Sequence, residues 1–288
     1  MAEAKKKVEA TKPTPEEKQA AAEAEVDALV ARAKKALDEF ENLDQKQVDR
    51  IVAKASIAAL NKHLVLAKMA VDETGRGLVE DKATKNIFAC EHVTNYLAGQ
   101  KTVGIIREDD VMGIDEVAEP VGVVAGVTPV TNPTSTAFYK SEISIKAGNA
   151  IVFSPHPSAL RSISEAIKVI RQAIAEAGGN ENLVSCITIP TIQATDNLMK
   201  HPDVALILAT GGSAMVRAAY SSGTPAIGVG PGNGPAYIEK TADLPLAVKR
   251  IMDSKTFDNG TICASEQSVV CDKDMEDAVR AEMAQQGA

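Results

Sequence analysis

The sequence predicts an α/β fold in which a parallel sheet is flanked by helices and preceded by a further group of helices. Between residues 121 and 229, short apolar runs alternate with helix-like segments, which is the pattern of a parallel sheet covered on both faces. Residues 20–97 instead carry apolar side chains at helical spacing. With 45% apolar and 24% charged residues, the chain has the composition of a globular protein able to bury such a core.

The composition also argues against several classes of function. A net charge of −8, the lack of tryptophan and only 3% aromatic residues argue against a nucleic-acid binder. No apolar run is long enough to span a membrane, and the four histidines lack metal-ligand spacing. The cysteines show no disulfide or CxxC spacing; they are Cys90, Cys186, Cys263 and Cys271. We therefore expect a soluble enzyme without a metal site, in a reducing, cytoplasmic location.

The N-terminal part is predicted to be a tail followed by three helices and a hairpin. Residues 1–19 are rich in charged residues, so we expect a disordered tail; a basic recruitment arm is the weaker alternative, because acidic residues are interleaved. Helices are predicted from Val26 to Phe40, from a cap at Asp44 to about Met69, and from Val79 to Leu97. The alternation from Thr102 to Val117 indicates a hairpin, which is a candidate for subunit contacts.

The central part is predicted to be the sheet itself. Its strands are expected at Val121–Val127, Ala150–Phe153, Leu183–Ile189, Val204–Ala209 and Pro225–Val229. The helices between them are expected at Thr134–Lys146, Ser158–Glu176, Thr191–Lys200 and Ser213–Ser221. Ligands of such sheets bind outside the carboxyl ends of the strands, so the loops that follow the strands are the place to look for function.

Each of these loops has two interpretations. Residues 128–133 offer hydroxyls, an amide and a helix N-terminus suited to an anion, or they are only a helix cap with proline in the first turn. Residues 210–213 let backbone N–H groups approach a phosphate, or they form a tight turn. His156 lies between two prolines in residues 154–157, where a structural or surface role is commoner than catalysis. Residues 228–234 do not match the GxGxxG fingerprint.

The segment most suggestive of chemistry is residues 255–266, which joins a helix-like run to a strand-like run. It places Cys263 after an Asn259-Gly260 turn and beside small or polar neighbours. For a lone thiol, however, an inert and half-buried cysteine is the commoner outcome. The turn and the thiol alone therefore leave both interpretations open.

Four motifs considered together favour the nucleophile. Thr131-Asn132-Pro133 and residues 154–157, 209–213 and 259–264 occur in the order and spacing of the aldehyde dehydrogenase superfamily. From about residue 20 onwards the chain resembles this family, and most closely its acylating acetaldehyde dehydrogenases, which form the N-terminal half of bifunctional members. The resemblance implies a Rossmann-like NAD-binding domain, with the helices before it, in residues 20–240. It also implies the start of a catalytic domain in residues 241–288, which we expect to be truncated, because the family's catalytic domain continues well beyond the nucleophile.

The resemblance also implies which residues form the site. Cys263 matches the nucleophile, and Asn132 matches the asparagine that helps to bind the thiohemiacetal oxyanion. The residues expected to bind NAD are Val127, Thr128, Pro129, Val130, Thr131, Asn132, Ser154, Pro155, Gly211, Gly212, Ser213 and Gly230. Hydrolytic members carry a glutamate base where residues 229–233 hold no carboxylate, so coenzyme A replaces water as the expected acyl acceptor. Glu266 is expected to be a structural or surface carboxylate.

The function implied by the resemblance is the NAD-dependent oxidation of acetaldehyde to acetyl-coenzyme A, and its reverse, in fermentative ethanol metabolism. The full-length protein is expected to be a homo-oligomer. Two alternatives stay open at this point. The chain is a nucleotide-binding or oligomerising fragment without turnover of its own, or it belongs to a hydrolytic aldehyde dehydrogenase.

Overall fold

The computed structural model describes residues 14–288, and the elements within this range follow the predicted order. The helices are α1 (Pro15–Phe40), α2 (Gln45–Leu60), α3 (His63–Thr74), α4 (Val79–Ile87), α5 (Val93–Leu97), α6 (Pro133–Lys146), α7 (Leu160–Glu176), α8 (Ile192–Lys200), α9 (Ser213–Tyr220), α10 (Leu244–Thr256) and α11 (Glu276–Gln285). The strands are β1 (Gly104–Asp109), β2 (Ile114–Ala118), β3 (Val123–Val127), β4 (Ala150–Ser154), β5 (Val184–Cys186), β6 (Val204–Thr210), β7 (Ala226–Val229), β8 (Gly234–Ile238) and β9 (Glu266–Cys271). A single π-helical turn joins α4 to α5. Among these helices, none is both long and apolar enough to cross a membrane.

The predicted five-stranded parallel sheet is confirmed, with the strand order β5-β4-β3-β6-β7. The strand order reverses between β3 and β6, because the chain runs outward from β3 through β4 to β5 and then returns to β6. Such a switch point opens a crevice at the carboxyl ends of the two central strands. Every residue of β3 and β4 is buried, as expected of strands covered on both faces.

The third strand is shorter than predicted: β5 has three residues, although the apolar run continues to Ile189. The reason lies in α1, where the Glu25 carboxylate accepts hydrogen bonds from the backbone N–H groups of Thr188 and Ile189 at 2.8 and 3.1 Å. Those donors are therefore not available to extend the sheet ladder. Strand β3, which is the first strand of this sheet along the chain, likewise begins at Val123 rather than at residue 121. The reason is that Gly122 adopts φ +124° and its N–H donates to the Asn149 side chain.

The prediction of disorder up to residue 19 is wrong for its last residues. Helix α1 begins at Pro15, and Thr14 caps it in a capping box with Glu17. The sequence signal was present, since threonine followed by proline and by glutamate at the third position is typical of a helix start. The rest of the predicted tail, residues 1–13, lies outside the described residues.

The second predicted helix is in fact two helices, α2 and α3, separated at Asn61 and Lys62. The apolar spacing continues through the break, so periodicity alone does not reveal it. The His63 ring bonds to the Leu60 carbonyl, and the Asn86 side chain donates to the His63 carbonyl at 2.8 Å. Tertiary contacts with α4 therefore set the break.

A second, smaller apolar core follows the sheet. Strands β8 and β9 pair in parallel and are connected through α10, while α11 packs beside them. Ile238, Val248 and Val279 form the centre of this core. The helix and the strand predicted on either side of residues 255–266 are thus confirmed. The hairpin β1–β2 is confirmed as well, with its pairing antiparallel.

A carboxyl group lies buried in α6 without an ionic partner. Glu142 has no solvent exposure, and neither of its carboxyl oxygens has a hydrogen-bond partner within residues 14–288. The polar group nearest to this carboxyl is the buried Thr94 hydroxyl, which opposes the effect of burial on the pKa of Glu142 only weakly. Burial raises the pKa of Glu142 from 4.5 to about 9, so the group is protonated at neutral pH.

This raised pKa predicts a pH-dependent stability that Glu142→Gln removes. Between pH 4.5 and about 9 the folded state holds a proton that the unfolded state has lost, so the free energy of unfolding falls as the pH rises through this window. Glu142→Gln should match the wild type near pH 4.5 and then gain up to about 1.4 kcal/mol per pH unit over it. Urea unfolding at pH 5, 7 and 9 measures the difference, and parallel curves for the two proteins would contradict it.

Candidate active site

The carboxyl ends of β3, β6 and β7 come together at one edge of the sheet. The Gly211 N–H donates to the Val229 carbonyl at 3.2 Å, and this bond holds the loop after β6 against the end of β7. Buried Lys140 donates to the carbonyls of Val127 and Leu208 at 2.7 Å each, which ties β3 to β6. Burial lowers the pKa of Lys140 to about 7. The switch point is therefore a rigid frame for the loops that leave it.

A crevice of about 560 Å³ lies at this edge. Seven of the residues predicted to bind the dinucleotide line it, namely Val127, Thr128, Pro129, Ser154, Pro155, Gly211 and Gly212. Val130, Thr131, Asn132, Ser213 and Gly230 are close in sequence to these residues but do not line the crevice. Val130 packs against the main core, and Ser213 begins α9. Most of the residues predicted to bind the dinucleotide therefore lie together at this crevice.

One feature of the crevice suits an anionic ligand. Gly212 precedes α9 and provides no side-chain cap, so the first N–H groups of that helix point towards the crevice end of the sheet. The Ser154 hydroxyl, in contrast, is buried and hydrogen-bonded to Thr195 at 2.7 Å. His156 accepts the Ser158 N–H at 3.1 Å and thus caps the following turn, which is a structural role.

Cys263 lies in a second pocket, of about 610 Å³, and is exposed to it. Asn132 lines the same pocket although it belongs to the loop after β3. Thr210 lines both this pocket and the crevice, so the two cavities meet at the end of β6. Within the described part of the chain, no aspartate or glutamate lines the pocket. Its remaining lining residues are Thr84, Lys85, Phe88, Ala89, Val93, Ser135, Thr136, Tyr139, Val229, Phe257, Ile262 and Ala264.

The loop that carries Cys263 has an unusual backbone, and its turn was predicted. Asp258 and Asn259 adopt left-handed φ values of 51° and 53°, and Gly260 follows at 69°. A Cβ atom on Gly232 would lie 2.1 Å from the Cys263 carbonyl oxygen, so only glycine fits there. Residues 229–233 therefore pack directly against the loop that carries Cys263.

Within this loop, the Asp258 side chain is fully buried and is surrounded by hydrogen-bond donors. It accepts from the Leu78 N–H at 2.7 Å, from Lys82 at 2.9 Å and from Lys85 at 2.5 Å. Burial alone would raise the pKa of Asp258, but the bonds from Lys85, Thr261 and Lys82 outweigh it and hold the pKa below 3.8. Asp258 is thus an ionised anchor for the loop and does not face the pocket as a base.

Lys85 connects this anchor to the pocket. Besides Asp258, its ammonium donates to the Asn132 side-chain oxygen at 2.7 Å and to the Thr261 carbonyl at 3.1 Å. Burial lowers the pKa of Lys85, and Asp258 opposes that shift. This role could not be predicted from the sequence, because Lys82 and Lys85 lie close to Glu80 and Asp81 in what resembles a solvated helix face.

Other groups that sequence reasoning considered have no place in the pocket. Glu266 begins β9 and does not line it, as expected of a structural or surface carboxylate. Across residues 14–288, His, Cys, Asp and Glu side chains form no cluster of three or more that could hold a metal ion.

Comparison with known proteins places this geometry in a family. Residues 1–287 match the model of the aldehyde dehydrogenase family. The aldehyde-alcohol dehydrogenase 2 of Entamoeba histolytica is 58% identical over 265 residues, which are 91% of this chain and 30% of that protein. The crystal structure of an acetylating aldehyde dehydrogenase from Geobacillus thermoglucosidasius superposes with a TM-score of 0.90 at 50% identity, over 93% of this chain and 60% of that chain.

A third relative was solved with a ligand. It is the propionaldehyde dehydrogenase of Rhodopseudomonas palustris, which contains bound CoA and an acylated cysteine. It is 33% identical with a TM-score of 0.80, over 91% of this chain and 60% of that chain. The chain therefore spans less than two thirds of the length of each of these relatives, namely 30% of the first and 60% of the other two. Since the family model covers nearly all of the sequence and the folds superpose, the chain belongs to the aldehyde dehydrogenase family.

Proposed function

We propose that this chain carries the nucleophile and dinucleotide site of a CoA-acylating, NAD-dependent aldehyde dehydrogenase. The reaction is the oxidation of acetaldehyde to acetyl-CoA and its reverse, within fermentative ethanol metabolism. The observation that carries the proposal is the pocket that holds Cys263 and Asn132 together without a lining carboxylate among residues 14–288. The names of the acetylating relatives support the same chemistry.

The residues of the pocket account for the first half of the reaction. The Cys263 thiolate adds to the aldehyde carbonyl carbon, and the carbonyl oxygen becomes an oxyanion. The Asn132 side-chain N–H and the Cys263 backbone N–H donate to that oxyanion and lower the barrier. A nicotinamide dinucleotide, when bound, supplies the hydride acceptor that converts the thiohemiacetal to a thioester.

The second half depends on what attacks the thioester. Hydrolysis at neutral pH requires a base within hydrogen-bond reach of the attacking water. Asp258 is buried beneath the loop and bound by two lysines, and residues 229–233 contain no carboxylate. A thiol is a better nucleophile towards a thioester and depends less on such a base. The CoA thiol therefore takes the acyl group, and the Cys263 thiol is regenerated.

The dinucleotide belongs in the crevice, where Gly211, Gly212 and the start of α9 support binding of its phosphates. NAD is the proposed dinucleotide. The hairpin β1–β2 exposes apolar side chains, Val111 and Met112 at 95% and 69% among them, which supports a homo-oligomer of the full-length protein. A reducing cytoplasm keeps the Cys263 thiol free to react.

Product analysis of the full-length natural polypeptide tests the proposal. With acetaldehyde, NAD and saturating CoA, mass spectrometry should find acetyl-CoA and little free acetate. Acetate as the main product would instead identify a hydrolytic enzyme. NAD binding without turnover would identify a nucleotide-binding or oligomerising piece.

A carboxylate introduced beside the nucleophile should change the acceptor. Val229 lines the Cys263 pocket, whereas the adjacent Gly230 does not. Val229→Glu should therefore raise the acetate formed when CoA is omitted, because the new carboxylate can act as a base for water. Gly230→Glu is the matched control and should leave acetate near the wild-type level. Equal acetate from the two variants would contradict this explanation of the acceptor.

A further inference from the structure

We infer that Lys85 is a positioning residue that fixes which end of the Asn132 amide faces the substrate oxyanion. The inference rests on the proposed function, in which Asn132 is the oxyanion donor. It concerns a side chain in α4, remote in sequence from both Asn132 and Cys263. The Lys85 ammonium nevertheless contacts the segments that carry both residues.

The first argument is that the Asn132 side chain does not cap the helix that follows it. It is the residue immediately before α6, where an asparagine oxygen commonly accepts an N–H of the first turn. Here the side chain makes no capping bond. Its oxygen instead accepts from Lys85 at 2.7 Å. The side chain is therefore turned away from the helix and held in the wall of the pocket.

The second argument is the polarity of the contact. A lysine ammonium only donates, so it binds the oxygen end of an amide and never the nitrogen end. With the oxygen held by Lys85, the amide nitrogen points in the opposite direction. One of its N–H groups bonds to the Thr131 hydroxyl at 3.2 Å. Within residues 14–288 the other N–H has no hydrogen-bond partner, so it is available as the donor that an oxyanion requires.

The third argument is that the same ammonium also holds the nucleophile loop. It donates to Asp258 at 2.5 Å and to the carbonyl of Thr261, two residues before Cys263. A single group therefore sets the position of the donor relative to the nucleophile. A displacement of about 1 Å between catalytic groups is enough to lower a rate by ~10²-fold.

Lys82 provides a natural control, because it binds Asp258 as Lys85 does but does not bind the Asn132 side-chain amide. It donates to the same Asp258 oxygen at 2.9 Å and to the Thr131 backbone carbonyl at 2.8 Å. Both lysines are almost fully buried. Loss of either ammonium should therefore cost similar stability, but only the loss of Lys85 frees the Asn132 side chain to rotate.

The kinetic test compares Lys85→Met with Lys82→Met in the full-length natural polypeptide. Lys85→Met should lower kcat for CoA-dependent aldehyde oxidation by ~10²-fold, as loss of one oxyanion donor does, with the KM for NAD little changed. Combined with Asn132→Ala it should cause a further loss much smaller than ~10²-fold, because both changes remove the same donor and only the contacts with the Cys263 loop are lost in addition. Lys82→Met should lower kcat only slightly, and its effect should multiply with that of Asn132→Ala. Lys85→Arg, which keeps a charged donor, should recover part of the rate.

A spectroscopic test on the chain itself does not depend on turnover. The Asn132 side-chain amide signals, identified by their absence in Asn132→Asp, should shift and broaden in Lys85→Met but stay in place in Lys82→Met. If Lys85→Met does not fold, Lys85→Gln replaces it, since its shorter neutral side chain also loses the ammonium. Equal kinetic and amide effects from the two lysines would overturn the inference. A different result would separate the two proposals. If the wild-type protein shows no CoA-dependent turnover, but the Asn132 amide signals still shift in Lys85→Met and not in Lys82→Met, the proposed function is overturned and the positioning role is supported.

Discussion

Cys263→Ala should abolish CoA-dependent aldehyde oxidation by the full-length polypeptide, lowering kcat by at least ~10⁴-fold, because alanine cannot form the thioester. The chain itself offers a second measurement. Brief treatment with iodoacetamide, followed by peptide mass spectrometry, should label Cys263 before the other cysteines, since Cys263 is exposed in its pocket.

The other cysteines are the controls for this result. Burial raises the pKa of the Cys90 and Cys186 thiols, which keeps them protonated and unreactive at neutral pH. Cys271 lies in β9, away from the pocket. Replacement of each of these three by alanine should leave the activity largely intact. An active Cys263→Ala enzyme would rule out the cysteine mechanism.

Asp258→Ala should be among the most destabilising single substitutions in the chain, with a loss of about 3–5 kcal/mol in the free energy of unfolding. Removal of this carboxylate leaves the buried ammonium groups of Lys82 and Lys85 without their anionic partner. It also removes the acceptor for the Leu78 N–H. Guanidinium unfolding at pH 7 measures the loss as a lower midpoint concentration.

An exposed ion pair serves as the control for Asp258. Asp253 pairs with Lys249 along α10, with 64% of its side chain exposed, and Asp253→Ala should change stability by no more than about 0.5 kcal/mol. The pKa of Asp258 lies below 3.8, so its contribution is full at neutral pH and is lost as the pH falls below that value. Equal losses from the two substitutions at pH 7 would contradict the burial argument.

The sheet could be predicted from sequence because each strand carries its own signal. Strands β3 and β4 are continuous apolar runs bounded by glycine, proline or serine, and the helices between strands have the lengths of crossovers. The ends of elements were less predictable where a distant side chain decides them. Glu25 ends β5, and Asn86 of α4 binds the His63 carbonyl at the start of α3; neither effect is visible in the local pattern.

The residues in and around the Cys263 pocket also differ in whether their positions could be predicted from the sequence. Cys263 and Asn132 could be predicted to share a site because they belong to short motifs with a specific order, and they line the same pocket. Lys82, Lys85 and Gly232 could not, because their roles arise only when separate segments meet. A lysine among acidic residues in a helix usually indicates a solvated face. The burial of Lys82 and Lys85 depends on their ion pairs with Asp258. Asp258 itself has a left-handed backbone, which residue propensities do not predict for a non-glycine residue.

The contact between Lys82 and Asp258 joins residues 176 positions apart, and this separation has a consequence for synthesis on the ribosome. At about 5–20 residues per second, a span of 176 residues takes about 9–35 s to make. Until then both lysines of α4 stay hydrated, because a buried ammonium without a partner is costly. A nascent chain can therefore assemble its sheet while α4 is still open to solvent. The pocket around Asn132 closes only after the ribosome has delivered the Cys263 loop.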